Sequence, residues 1–234
     1  MQIFGLQKTT LLDFPGHVAC TLFTGGCNFR CPFCQNGELV LDSASQPGIT
    51  EEEVLGFLKK RKGILQGVCI TGGEPTLQPD LENFIKKIRE MDYLVKLDTN
   101  GYRPEVLRKL LGEGLLDYVA MDVTASRENY AKVAGVPGLQ IQRIEESVSM
   151  LLGQEKIPYE FRTTVVKGLH DPKEFEAIGK WLAGAKALFL QSYRESETVL
   201  DPKTAMEAFS EQELEGMAEM ARNYIARVEI RGVE

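Results

Sequence analysis

Three thiols within eight residues, Cys27-Asn-Phe-Arg-Cys31-Pro-Phe-Cys34, are the densest chemistry in the chain. Soft thiolates select zinc or iron–sulfur clusters. Three of them, with no fourth nearby in sequence, can hold three irons of a cubane cluster and leave the fourth iron open. An open coordination position marks a reactive metal site rather than a closed structural one. The alternative is structural zinc with His17 or another residue as fourth ligand. Such sites usually draw on two spaced pairs, and here there is one triplet. A second cluster is Thr71-Gly-Gly-Glu-Pro75, whose paired glycines allow close approach of backbone to a ligand. Asp98-Thr-Asn-Gly101, Met121-Asp122 and Gln191-Ser-Tyr-Arg194 likewise end apolar runs.

Those runs are the elements that must position the clusters. Strands are expected over Val18–Thr24, Gly67–Thr71, Tyr93–Asp98, Leu116–Val123, Tyr159–Val166 and Ala187–Gln191. Between them, Thr50 and Glu53 form a capping box that opens a helix running to about Lys62. Further helices are expected over Leu81–Met91, from Pro104 toward Leu111, and over Gln142–Leu152, Pro172–Leu182 and Glu211–Asn223. Arg227–Arg231 reads as a short extended end. This alternation predicts right-handed βαβ units, a parallel sheet and the α/β class. Six units fit an incomplete (β/α)6 barrel, although periodicity alone also allows an open doubly wound sheet. In either, the polar clusters fall at the C-terminal strand ends, the edge where such folds hold their active sites. The whole of 1–234 reads as a single domain, with 1–16 a lead-in and 196–234 a C-terminal extension.

Composition narrows the class. The 234 residues are 43% hydrophobic and 26% charged, ordinary for a globular protein with a substantial core. A formal charge of −7 argues against nucleic acid as partner. No apolar run approaches the length that spans a bilayer, so no membrane partner is expected. The N-terminal residues lack a secretory pattern, which makes a cytoplasmic address the expectation. Five cysteines, three in one loop, are a poor disulfide framework, and Cys20 and Cys69 lie in apolar strands as core residues. With only His17 and His170, mechanisms needing several imidazoles are nearly excluded.

The cysteine spacing, followed one βα unit later by Gly72-Gly-Glu-Pro75, resembles the radical S-adenosylmethionine (SAM) superfamily. Lys8-Thr-Thr-Leu-Leu-Asp-Phe-Pro-Gly16, Cys27–Asn36, Leu97-Asp-Thr-Asn-Gly101, Ala120-Met-Asp122 and the strand bearing Arg162 look more closely like activating enzymes of glycyl-radical enzymes. They are most similar to the activating proteins of anaerobic ribonucleoside-triphosphate reductase. The resemblance covers about residues 5 to 195. It implies that Cys27, Cys31 and Cys34 bind a [4Fe-4S] cluster and that S-adenosyl-L-methionine binds the open iron. Phe33, Cys34 and Gln35 would lie against the cofactor, and Gly72, Gly73 and Glu74 would hold its amino group. Asp98 and Asp122 would lie near the methionine carboxylate and, with the neighbouring Thr99, help bind a monovalent cation, and Asn100 would belong to the same cofactor-binding set. Arg162 would approach the cofactor or an incoming peptide.

The activity implied is anaerobic oxidoreductase chemistry. Reductive cleavage of the cofactor yields a radical that takes hydrogen from a glycine Cα of a partner, expected to be anaerobic ribonucleotide reductase. A flavodoxin- or ferredoxin-type donor would supply the electron. A pyruvate formate-lyase-type activator is the alternative, and a zinc-binding structural or interaction module the reading from a different class. One departure stands out: relatives commonly have lysine two residues after the aspartate matched by Asp122, and here that residue is Thr124. The missing cation would have to come from elsewhere, for instance Lys167 or Arg194.

Overall fold

Alternating strands and helices run through residues 1–42, 45–196 and 198–233, which the computed structural model describes, and they gather into two units. The first unit holds Met1–Asn28, Glu38–Ala120 and Glu155–Pro158. In it β1 (Ile3–Thr10) pairs antiparallel with β2 (Ala19–Thr24), and β2, β3 (Gly67–Gly72) and β4 (Leu94–Thr99) pair in parallel. Leu22, Val68, Ile70, Val95 and Leu97 are fully buried, the near-continuous apolar pattern of parallel strands covered on both faces. Each such side chain contributes about 1.5–3 kcal/mol by leaving water. The short α1 (Gly37–Leu41) precedes α2 (Glu51–Lys60), whose capping box is formed as expected: Thr50 Oγ1 accepts from Glu53 N, and Glu53 accepts from Thr50 N. Then come α3 (Leu81–Arg89) and α4 (Pro104–Gly112), with proline in the first turn. Cys20 and Cys69 are buried core residues, and burial pushes the Cys20 thiol up to about 12.

The second unit holds Phe29–Gly37, Met121–Gln154 and Tyr159–Glu234. Strand β5 (Tyr118–Asp122) contributes its first three residues to the first unit and its last two to the second. After it come α5 (Tyr130–Val133), α6 (Ile141–Leu152), β6 (Tyr159–Val165), α7 (Glu174–Trp181), β7 (Leu188–Ser192), α8 (Glu211–Arg222) and β8 (Val228–Arg231). Strands β6, β7 and β8 are parallel. A second capping box, Ser210 with Glu213, starts α8.

The fold is α/β with a mostly parallel sheet, as the alternation predicts, and β2 to β7 are the six strands expected. The lead-in carries a further strand, β1, which pattern reading passes over because its Gln7-Lys8-Thr9 end is polar and exposed. Among the described residues, no helix is long and apolar enough to cross a membrane.

Candidate active site

In the first unit, the C-terminal ends of β2, β3 and β4 converge through backbone. Gly73 N donates to Thr24 O at 2.8 Å and Glu74 N to Gly26 O at 2.8 Å. Gly72 has φ +112°, and a Cβ on Gly73 would stand 1.9 Å from the Gly26 carbonyl oxygen. Only glycine satisfies both positions, so the paired glycines set the distance between the β3 end and the segment leading into Cys27. Gln78 Nε2 holds Gly25 O at 2.8 Å from below the same turn.

Glu74 is buried and acts as a staple between β3 and β4. Its Oε1 accepts from Thr76 N (3.1 Å), Thr76 Oγ1 (2.5 Å) and Thr99 Oγ1 (2.7 Å), and its Oε2 accepts from Asn100 N (2.7 Å). Burial pushes its carboxyl up, against the lowering effect of those donors. With four donors on the carboxylate, the side chain holds the scaffold, and it is the glycine backbone that is shaped for close approach. Asn100 then reaches the cysteine segment: Nδ2 donates to Asn28 Oδ1 at 2.9 Å and lies 3.8 Å from Cys27 Sγ, while Oδ1 accepts from Tyr102 N at 3.0 Å. Among the described residues Asn28 Nδ2 is buried without a hydrogen-bond partner. A buried donor of this kind beside Cys27 is what an acceptor-rich sulfide cluster would satisfy.

Asp98, one residue before Thr99, is paired with a cation that sequence reasoning missed. Lys96 Nζ contacts Asp98 Oδ1 and lies 3.7 Å from Cys69 Sγ and 5.8 Å from the Tyr118 ring centre. The signal was present: a lysine two residues before an aspartate in an otherwise apolar strand shares its face.

The second unit holds Cys31, Phe33, Cys34, Gln35, Asp122 and Arg162. Cys34 N donates to Cys31 O at 3.0 Å, and Arg30 N to Ala134 O at 2.8 Å, next to Gly135, where a Cβ would meet Arg30 O at 2.3 Å. Burial pushes the Cys34 thiol up, with the Asn36 N–H opposing. The loop is clamped from the C-terminal extension: Leu200 N donates to Cys34 O (2.9 Å) and Asp201 N to Pro32 O (3.0 Å), while Gln35 Nε2 donates to Arg194 O (3.2 Å). Phe33 packs against Val166, Tyr193 and Val199. Arg162 grips Asp122 through two bonds, Nε–Oδ1 at 2.8 Å and Nη2–Oδ2 at 3.2 Å.

Residues 122–126 are pinned from several sides. Tyr130 OH donates to Asp122 O, His170 Nε2 lies 2.9 Å from Thr124 O, and Ser126 N donates to Glu174 Oε1 at 2.6 Å. Val166 N donates to His170 Nδ1, which places the ring proton on Nε2. Lys167, expected as a replacement cation for the one absent at Thr124, pairs with Glu213 and lies over the Phe209 ring.

In the first unit, the glycine cradle that a Cβ would fill and the Asn28 donor beside Cys27 fit the cofactor side of a cluster-and-SAM site, while among the described residues no group of three His, Cys, Asp or Glu side chains is gathered to hold a metal ion. Each predicted residue therefore has a defined place in its own unit: Cys27, Gly72, Gly73, Glu74, Asp98, Thr99 and Asn100 in the first, the other six in the second.

Comparison with known proteins agrees with this chemistry. The profile of the Radical SAM superfamily matches residues 21–182. A protein of Methanocaldococcus jannaschii, provisionally named a glycyl-radical enzyme activating enzyme, is 29% identical over 99% of this chain and 96% of its own length. A protein of Thermococcus kodakarensis, provisionally named a GTP 3′,8-cyclase, is 34% identical over 66% of this chain, which spans 50% of that relative. Among solved structures, QueE from Escherichia coli matches with a TM-score of 0.57 at 16% identity, over 99% of this chain and 94% of that one. Streptococcus suis SuiB bound to S-adenosylmethionine matches at 0.63 and 15% identity, over 92% and 52%. At these identities the structures speak to fold alone, and the fold is the incomplete-barrel α/β class expected from the sequence.

Proposed function

The chain belongs to the radical SAM superfamily, and on that premise we propose that it is a glycyl-radical enzyme activating enzyme, an oxidoreductase that installs a glycyl radical on a separate protein. The observation that carries this reading is the full-length match. Similarity runs over 99% of this chain and 96% of a relative bearing that provisional name, whereas the cyclase match stops at half of that relative. The whole of 1–234 would act as one radical SAM domain.

A [4Fe-4S] cluster on Cys27, Cys31 and Cys34, with S-adenosylmethionine bound, would supply one-electron cleavage chemistry that ends in hydrogen removal from a glycine Cα. The chain's own residues would do the holding. Gly72 and Gly73 offer backbone to the amino group, with Glu74 fixing them from behind. Asp98, Thr99 and Asn100 shape the β4 end, and Asp122 and Arg162 orient one another for the cofactor carboxylate or the incoming peptide. Phe33 and Gln35 flank Cys34, where the C-terminal extension restrains the loop. A monovalent cation beside Asp98 belongs to the same expectation, and it meets a competitor in the Lys96 ammonium. The partner we assign is anaerobic ribonucleotide reductase, with a flavodoxin- or ferredoxin-type donor, in an anaerobic cytoplasm. A glycine target suits the step because it has no side chain to block approach.

The test is anaerobic reconstitution with iron and sulfide, reduction, addition of S-adenosylmethionine, and assay of 5′-deoxyadenosine beside a Cys31→Ala control. Addition of the candidate reductase should then give a glycyl-radical EPR doublet. Cofactor cleavage that Cys31→Ala abolishes, together with that doublet, is the expected result. Cleavage that consumes GTP and leaves every glycyl-radical partner silent would replace the activase reading with the cyclase one.

A further inference from the structure

Lys96 is a deeply buried charge in the first unit. Its side chain is 2% exposed, in the middle of an apolar strand, and lysine is almost never found so deeply buried unless paired. The pairing is specific. Strand periodicity puts Lys96 and Asp98 on one face of β4, and the parallel register sets Lys96 beside Cys69 of β3. The ammonium thus has a carboxylate oxygen, a sulfur at 3.7 Å and an aromatic face at 5.8 Å. Asp98 is directly followed by Thr99 and Asn100, both held by the Glu74 carboxylate, and Asn100 reaches Asn28 and Cys27.

We propose that the Lys96 ammonium is the resident cation of Asp98, so that this chain orders the β4 end, and through it the cofactor site, with no inorganic monovalent cation. A free cation on the Asp98 carboxylate would sit beside a tethered group of the same charge and would meet direct repulsion. A tethered ammonium does not dissociate, so it removes any dependence on which alkali metal is present. Lys96 is in this sense a positioning residue. It acts through Asp98, its partner on the same face of β4. The proposal deepens the function argued above and rests on it for the identity of the cofactor; the ion pair itself does not.

The experiment uses the full chain in buffers of sodium, potassium or tetramethylammonium at equal ionic strength, the last being too large to enter such a site. The melting temperature of the iron-free protein is read first, and S-adenosylmethionine affinity of the reconstituted protein second. Because a ligand that binds only the folded state raises its stability, an inorganic cation site would show as a melting temperature that climbs with sodium or potassium. The wild type is expected to give the same values in all three salts, and Lys96→Arg to behave like it. Lys96→Met, which removes the ammonium from Asp98, should melt lower in tetramethylammonium and regain stability and affinity in sodium or potassium. A wild type whose affinity rises more than about threefold on moving from tetramethylammonium to an alkali cation would overturn the proposal. So would a Lys96→Met protein that is indifferent to the salt and binds the cofactor like wild type. If Lys96→Met fails to fold, the wild-type and Lys96→Arg arms still decide. Absence of cofactor binding in every salt would count against the function itself, while the iron-free arm still judges Lys96.

Discussion

Replacing Gly73 by alanine puts a methyl group 1.9 Å from the Gly26 carbonyl oxygen, where ordinary contact begins at 3.4 Å. The obstacle is backbone on both sides, so no rotamer change relieves it; the two segments must separate by about 1.5 Å along that line. Such a shift breaks the bond from Glu74 N to Gly26 O and strains the one from Gly73 N to Thr24 O, each 2.8 Å in the native fold. A buried backbone group left without its partner costs about 1–3 kcal/mol, and overpacking adds about 1–3 kcal/mol. The lower unfolded-state entropy of alanine offsets about 0.4–1 kcal/mol. The net loss is about 1–5.5 kcal/mol, or roughly 2–20 °C in melting temperature for a chain of this size. The same shift displaces the residue before Cys27, so reconstituted Gly73→Ala should also hold less iron than wild type. Thermal denaturation of the iron-free protein and iron content after reconstitution are the assays. Gly56→Ala is the control: the site is in α2 with open space around it, and helix propensity gives a gain of about 0.5–1 kcal/mol. A Gly73→Ala protein that melts within about 2 °C of wild type and keeps its iron would refute the argument.

Alkylation of the native iron-free protein near pH 8 should label the partly exposed Cys27 and Cys31, reach Cys34 more slowly because burial raises its thiol, and spare the buried Cys20 and Cys69; peptide mapping reads this directly, and early labelling of Cys20 would contradict its burial. Glu82 is held down to about 2 by Lys109 and then Lys86. Because its folded value lies below the unfolded one, its contribution is present above pH 4.5 and is lost as pH falls toward 2, so Glu82→Gln should flatten that part of the urea-midpoint profile in low salt and change little at high salt. Asp201 organises its own turn by accepting from Lys203 N (3.0 Å) and Thr204 Oγ1 (2.7 Å) while its N–H holds Pro32 O. Asp201→Ala should raise amide hydrogen exchange several-fold at residues 33–37 as well as at the non-proline residues of 199–204, and exchange confined to the second stretch would show that the clamp does not hold the cysteine loop.

How far the sequence alone leads depends on the range of the interaction. The capping box at Thr50, the proline that opens α4 and the six apolar strands β2 to β7 are local patterns, and these elements fall within a few residues of where periodicity puts them. The Glu74 staple is invisible in sequence because its donors on β4, Thr99 and Asn100, lie 25 and 26 residues on, in a different βα unit. Lys96 was passed over for a related reason: in one dimension it interrupts a strand, and only the Cys69 register and the Tyr118 ring show how the charge is accommodated. Residues 196–209 carried no motif, because a clamp made of main-chain N–H groups at Leu200 and Asp201 asks little of side-chain identity. The mutual orientation of Tyr130, His170 and Asp122 likewise follows from packing that no spacing rule encodes.

The clamp also has a bearing on biosynthesis. The carbonyls of Pro32 and Cys34 wait for donors that lie roughly 170 residues later in the chain. At a synthesis rate of about 5–20 residues per second, a nascent chain would carry its cysteine loop unclamped for on the order of ten to thirty seconds. A loop without those two bonds has more ways to bind metal wrongly, or to oxidise, than a loop that has them. Cluster loading should therefore be most faithful after release from the ribosome, and a chain truncated before Leu200 should be the one that fills with adventitious metal.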